Sequence, residues 1–88
     1  MERAIVSKES TKTYFFQVEI AQEEDGRWSA WVESLPGCAT WGYTKQEALR
    51  NIRDAVEAYI RDMQKAGEDI PADAPTRVVD APVVAVTV

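Results

Sequence analysis

The chain contains no histidine, a single cysteine and no long apolar run. Without histidine it lacks the commonest general base, the commonest zinc ligand and every Ser–His or Cys–His nucleophile pair. The one thiol, Cys38, excludes an internal disulfide and suits a reducing compartment. A spanning helix needs about 20 apolar residues, and the N-terminus turns polar early, so we predict no signal peptide, no membrane contact and a cytoplasmic location.

Positive charge is also scarce. Ten Lys and Arg residues stand against fifteen Asp and Glu, a net charge of −5, and the sequence pI is about 4.6. This balance repels a phosphate backbone, and no Lys/Arg cluster offsets it locally, so we expect no direct nucleic-acid binding. The tryptophans could stack on bases only beside a cationic groove, which an acidic chain does not predict.

Features that carry catalysis or hold cofactors are correspondingly weak. The consecutive acids Glu23, Glu24 and Asp25 lie in a turn and point in different directions, so they predict a solvated turn and not a metal site. The glycines are isolated and form no phosphate loop. Cys38 has no neighbouring histidine and is expected to be a small buried hydrophobe. We therefore predict no catalytic residue, no metal and no cofactor.

The first half of the chain has the pattern of a hairpin followed by a third strand. Alternation from Tyr14 predicts a strand with Tyr14, Phe16, Val18 and Ile20 on one face and Phe15, Gln17, Glu19 and Ala21 on the other. The Glu23–Gly26 segment is a turn signal, and a second strand over 27–33 follows it. Pro36 and Gly37 end that strand, and a short third strand is expected over 38–43, where Gly42 indicates a bulge or a close approach of backbones.

The second half begins with the clearest element, a helix. Thr44 and Glu47 form a capping box in which Glu47 reaches back to the N–H of Thr44 itself. Gly67 suits the residue after the helix. An amphipathic stripe follows the cap, made of Ala48, Leu49, Ile52, Ala55, Val56, Tyr59, Ile60 and Met63.

Residues 68–76 are expected to form a loop, and a strand is expected at about 77–88. In the run from Val83, β-branched residues fall on both faces of the strand, which predicts that both faces are covered. Ala4–Val6 is a candidate edge strand after which residues 7–12 form a loop. Together these elements predict one α+β domain over residues 1–88, in β-β-β-α-β order, with its core at 13–67, an antiparallel hairpin sheet and the helix on one face. The helix would be a right-handed crossover if the last strand ran parallel to its neighbour.

One helix covers one face of a sheet, and the other face still carries large aromatics. Phe15 and Trp31 fall there, beside polar residues, which predicts that a second polypeptide packs on this face. For Trp31 and Trp41, partner contact and core packing remain equal alternatives. The candidate partner-binding residues are Phe15, Trp31, Trp41, Glu23, Glu24 and Asp25.

An ordered set of short motifs resembles the HicB antitoxin family. The set consists of Glu24-Asp25-Gly26-Arg27-Trp28, Leu35-Pro36-Gly37-Cys38, Gly42-Tyr43-Thr44, Glu47-Ala48 and Ile70-Pro71. The resemblance covers roughly residues 13–72. It implies a partial ribonuclease-H-like fold and a protein that binds and neutralises a small basic HicA-type mRNA-cleaving toxin, as a homodimer or higher oligomer.

The chain departs from the pattern of many family members after Pro75. Many family members append a DNA-binding module, whereas the residues after Pro75 predict a strand, so the chain resembles a short form without that module. Ribonuclease-H-like shape does not bring activity, because that chemistry needs several carboxylates converging on metal ions.

The alternative function is a stand-alone oligomeric scaffold or small-ligand binder with no toxin partner.

Overall fold

The computed structural model describes residues 13–72 and 82–87. The predicted edge strand at 4–6, the loop at 7–12 and the stretches 73–81 and 88 lie outside the described residues. The elements are β1 Thr13–Gln17, β2 Glu19–Gln22, β3 Trp28–Trp31, β4 Ala39–Gly42, α1 Lys45–Ala66 and β5 Val83–Thr87. Among the described residues every strand pair is antiparallel and one helix accompanies the strands, which confirms the predicted α+β class.

The first predicted strand is in fact two strands, so the described order is β-β-β-β-α-β. Val18 separates β1 from β2, and its N–H donates to the carbonyl of Pro82 at 2.9 Å. At this residue the chain changes partners: β1 pairs with β5, whereas β2 joins the three-stranded sheet β2-β3-β4. The alternating pattern runs through Val18 without interruption and therefore could not reveal the break.

The last strand runs antiparallel to β1, with Phe15 opposite Ala85 and Thr13 opposite Thr87. A right-handed crossover is expected only if the last strand runs parallel to its neighbour. Because β5 is antiparallel to β1, that prediction does not apply to this pair. Cover on the second face of β5 stays a prediction, because the described residues bury one face of this strand. Its buried residues are Val84 and Val86, while Val83 is 49% exposed, because α1 reaches one face of the sheet and alternate side chains point away from it.

The helix begins and ends where the sequence predicts. The hydroxyl of Thr44 accepts from the N–H of Glu47 at 3.0 Å, and Gly67 adopts the left-handed conformation at φ 73°. The return half of the capping box differs from the prediction. The Glu47 carboxylate accepts from the N–H of Tyr43 at 2.5 Å, one residue before the cap, because the chain leaving β4 turns that N–H toward the first helical turn.

The core lies between α1 and the even-numbered side of the strands. Phe16, Ala30, Ile52 and Ile60 are fully buried there, and Val18 is 1% exposed. This confirms the predicted orientation, in which the face of Phe16 and Val18 lies under the helix. Burial of each large aliphatic or aromatic side chain stabilises the fold by about 1.5–3 kcal/mol, so these contacts dominate its stability.

Candidate protein-binding face

In each of the two sheets, alternate strand residues lie on the side turned away from α1, and we call these residues together the open face. Register places Trp31 between Glu19 and Ala39, and Trp41 beside Ser29, which in turn faces Ala21. Cross-strand neighbours share a face, so these residues stand together. The open face consists of Thr13, Phe15, Gln17, Glu19, Ala21, Ser29, Trp31, Ala39, Trp41, Val83, Ala85 and Thr87.

Large apolar side chains on the open face are poorly covered. Phe15 is 37% exposed, Trp41 45% and Val83 49%, and Trp31 is half-buried. Trp28 points to the other side and packs against the core. Grouped apolar exposure of this kind is typical of a surface that contacts another molecule. Among the described residues, none fully covers Phe15, Trp41 or Val83.

The hairpin turn closes one end of the open face and forms a groove there. Glu23, Glu24, Asp25, Arg27, Ser29 and Trp41 line this hairpin groove. It gathers the three predicted acidic residues with Trp41. Phe15 and Trp31 do not line it, and Phe15 lies on β1, which belongs to the other sheet.

Hydrogen bonds order the carboxylates of the hairpin groove. Asp25 accepts from the backbone N–H of Arg27 at 3.0 Å and from its Nε at 2.7 Å. The backbone N–H of Arg27 lowers the pKa of the Asp25 carboxyl below its ordinary value, and the guanidinium adds to this effect. The Ser29 hydroxyl donates to Glu23 at 2.5 Å. Three carboxylates against one guanidinium leave the groove with net negative charge.

Arg27 is a site residue that the sequence reasoning did not select. Its guanidinium carbon lies 5.0 Å from the centroid of the Trp41 ring, within the range of a cation–π contact. The Trp41 and Tyr43 rings also make an edge-to-face contact, with centroids 5.1 Å apart. The signal in the sequence is the alternate spacing of Arg27, Ser29 and Trp31, which puts Arg27, the residue before β3, on the side of the open face.

The Leu-Pro-Gly-Cys segment has a structural place in the described fold. Leu35 is fully buried, Gly37 turns the chain at φ 82°, and the N–H of Cys38 donates to the carbonyl of Leu35 at 2.9 Å. The Tyr59 hydroxyl ties the turn to the helix by donating to Pro36 at 2.8 Å. Cys38 is buried, and desolvation raises the pKa of its thiol, which favours the unreactive protonated form.

A second group of motif residues joins β4 to the helix. Gly42 is buried against the first turn of α1, where a β-carbon on it would lie 2.5 Å from the backbone nitrogen of Ala48. This is the close backbone approach that the sequence indicated. Ala48 is itself fully buried. The motif residues from Leu35 to Ala48 therefore position the helix under the sheet, whereas Asp25 lines the hairpin groove.

Two further properties concern the described residues. Within residues 13–72 and 82–87, no group of three His, Cys, Asp or Glu side chains is arranged to hold a metal ion. No helix in that part of the chain is long and apolar enough to cross a membrane.

The described residues form a small α+β domain with exposed aromatic side chains and an acidic groove, and comparison with known proteins identifies its family. Residues 16–82 match the family model for the HicB-like antitoxin of bacterial toxin–antitoxin systems. The chain belongs to the HicB-like antitoxin family. This confirms the resemblance seen in its motifs.

Relatives and a solved structure agree with this assignment. A UPF0150 protein of Thermoplasma acidophilum is 48% identical over 58 residues, covering 66% of this chain and 84% of that protein. A UPF0150 protein of Synechocystis is 33% identical over 60 residues, covering 68% and 76%. The N-terminal domain of the Burkholderia pseudomallei antitoxin HicB superposes with a TM-score of 0.63 at 22% identity, over 84% of this chain and 96% of that chain. At that identity the likeness concerns the fold alone.

Proposed function

We propose that this chain is an antitoxin that binds and neutralises a small basic HicA-type mRNA-cleaving toxin and catalyses no reaction itself. The observation that carries the proposal is the open face, which combines exposed aromatic side chains with an acidic groove. Family membership supports an antitoxin role in general. The identity of the partner as a HicA-type toxin rests on the motif resemblance.

Charge supports a basic partner. A ribonuclease binds a polyanion and needs positive surface to do so. An acidic chain, at net charge −5, attracts such a surface over the Debye length and accelerates association. If the antitoxin covers the surface with which the toxin binds RNA, neutralisation follows from competition alone and needs no chemistry.

The proposal extends to the organisation of the protein. We infer a single domain over residues 1–88, located in the cytoplasm, that makes no direct contact with nucleic acid. A homodimer or higher oligomer fits the other half of the open face, where β1 and β5 present Thr13, Phe15, Gln17, Val83, Ala85 and Thr87 and no charged residue. Two chains of equal net charge can approach through an uncharged surface without direct repulsion.

The same uncharged half favours a second candidate function, a stand-alone oligomeric scaffold without a toxin partner. Both candidates allow an oligomer, so the binding of a basic protein, measured together with light scattering, separates them. A stable monomer that still neutralises a toxin would support the first, whereas an oligomer that binds no basic protein would support the second.

Co-expression with the product of the adjacent open reading frame tests the antitoxin proposal. We expect a small basic protein that arrests growth alone, co-purifies with this chain and loses its mRNA cleavage when bound. The reversal Glu23→Lys with Glu24→Lys should weaken co-purification. The matched control Glu68→Lys with Asp69→Lys makes the same charge change at the exposed end of the helix and should weaken it less. If the neighbour is not basic, or never co-purifies, the proposal fails.

A further inference from the structure

We propose that the hairpin groove receives an arginine side chain of the protein partner on the Trp41 ring, in the place that Arg27 occupies in the free chain. Arg27 is then a built-in competitor that holds the site until the partner displaces it. This inference rests on the proposed function, since it concerns the same basic partner, and it names the contact that recognises that partner.

The groove already has the geometry of an arginine site. Arg27 Nε lies 2.7 Å from Asp25 Oδ2, and its guanidinium lies over the Trp41 ring. A planar guanidinium can stack on an aromatic ring and bond a carboxylate at the same time, which a lysine ammonium does less well. The free chain thus shows, with its own side chain, which chemical group the groove accommodates.

The groove has more negative charge than Arg27 can neutralise. Glu23 and Glu24 line it together with Asp25, and Ser29 holds the Glu23 carboxylate toward Trp41's strand by a 2.5 Å hydrogen bond. This excess of negative charge is complementary to a cationic group, so we assign the groove to a cationic side chain of the partner. Because Trp41 also belongs to the open face, a protein that covers the exposed aromatics reaches the groove in the same contact.

The Arg27 contact is weak enough to be displaced. Its side chain is 47% exposed and that of Asp25 is 51% exposed, and exposed ion pairs of this kind contribute little. A partner arginine that arrives with the surrounding apolar surface excludes water from the ring, and desolvation strengthens a cation–π contact. Cover of the rest of the face therefore shifts the exchange further toward the partner's arginine.

Nuclear magnetic resonance can locate the site without knowledge of the partner. The probe is the peptide acetyl-Arg-Arg-Arg-amide, titrated into the full chain at low salt and compared with acetyl-Lys-Lys-Lys-amide. The chain has three tryptophans, so its three indole N–H signals are assignable by single Trp→Phe changes. We expect the Trp41 signal to shift most, that of Trp28 least, and the arginine peptide to bind more tightly than the lysine peptide.

The competitor role makes an unusual prediction for Arg27→Ala. Removal of the competitor should tighten binding of the arginine peptide at Trp41 about two- to fivefold, the range set by an exposed pair. Arg53→Ala changes the net charge equally from the exposed side of α1 and is the matched control; it should leave the Trp41 titration almost unchanged. The backbone bond that orders the turn does not depend on the Arg27 side chain, and circular dichroism checks that both variants fold.

Loss of the groove should have the opposite effect. Glu23→Gln with Glu24→Gln should weaken peptide binding at Trp41 several-fold, whereas Glu68→Gln with Asp69→Gln should not. The inference is overturned if Arg27→Ala binds no more tightly than Arg53→Ala, or if all three indole signals shift alike. It can fail while the adjacent gene product still co-purifies, and it can hold when that product does not, so the two proposals are tested separately.

Discussion

Gly42→Ala is the substitution for which the structure gives the sharpest expectation. A methyl group at this position would lie 2.5 Å from the nitrogen of Ala48, 2.9 Å from the carbonyl carbon of Glu47 and 3.0 Å from the Cα of Ala48. All three atoms are backbone atoms of the first helical turn, so no rotamer change can relieve the contact. The strand or the helix must move.

The magnitude follows from opposing terms. Forcing an extra carbon into a packed site costs about 1–3 kcal/mol, and the upper part of that range applies because backbone must shift. Gly→Ala returns about 0.4–1 kcal/mol by restricting the unfolded chain. We expect a net loss of about 2 kcal/mol, which for a domain of this size lowers the melting temperature by roughly 8–16 °C.

The assay is thermal and urea unfolding followed by helix circular dichroism. Gly67→Ala is the control, because Gly67 has open space around its Cα but a φ of +73°, so its cost of about 1 kcal/mol arises from backbone conformation alone. The steric argument predicts that Gly42→Ala is the more destabilising of the two. Equal or smaller destabilisation at Gly42 would refute it.

Three further predictions concern the cap, the thiol and the turn. Thr44→Ala removes the acceptor for the Glu47 N–H and should cost about 1 kcal/mol in urea unfolding, whereas Thr44→Ser should restore most of it; no difference between the two would count against the cap. Cys38 is buried with a raised pKa, so a thiol reagent should react at the rate of unfolding, and rapid labelling of the native chain would contradict its placement. The lowered pKa of Asp25 stabilises the folded chain fully above the ordinary carboxyl pKa, and this contribution is lost as pH falls through the folded-state pKa. A titration of the Asp25 carboxyl with a midpoint at or above that of an unfolded aspartate would show that the Arg27 contacts do not form.

The elements that the sequence predicts correctly are those with local signals. The helix is specified by Thr44, an apolar period and Gly67, all within one segment. The hairpin of β2 and β3 depends on the Asp25-Gly26 turn and the alternation on either side of it. In both cases the residues that determine the structure are close together in the chain, and so local periodicity is sufficient.

The features that the sequence does not reveal depend on distant contacts. The break at Val18 exists because its N–H bonds Pro82, and the direction of β5 follows from pairing between Thr13 and Thr87. Strand periodicity specifies faces and not partners, so neither could be read from the pattern.

The candidate site divides in the same way. The alternation of side chains along a strand predicts Phe15 and Trp31 on the face away from the helix, and Phe15 is exposed there. Whether Trp41 packs inside or outside depended on the register that sets it beside Ser29. The stacking of Arg27 on Trp41 depends on the same register, so the sequence pattern alone does not predict this contact.

Hydroxyl-radical footprinting of the wild-type chain, free and in complex with the adjacent gene product, tests the central claim most directly. If the open face binds the partner, oxidation of Phe15 and Trp41 should fall in the complex while Met63, near the end of the helix, reacts as before. Protection of Met63 with unchanged oxidation of Phe15 and Trp41 would show that the partner binds elsewhere.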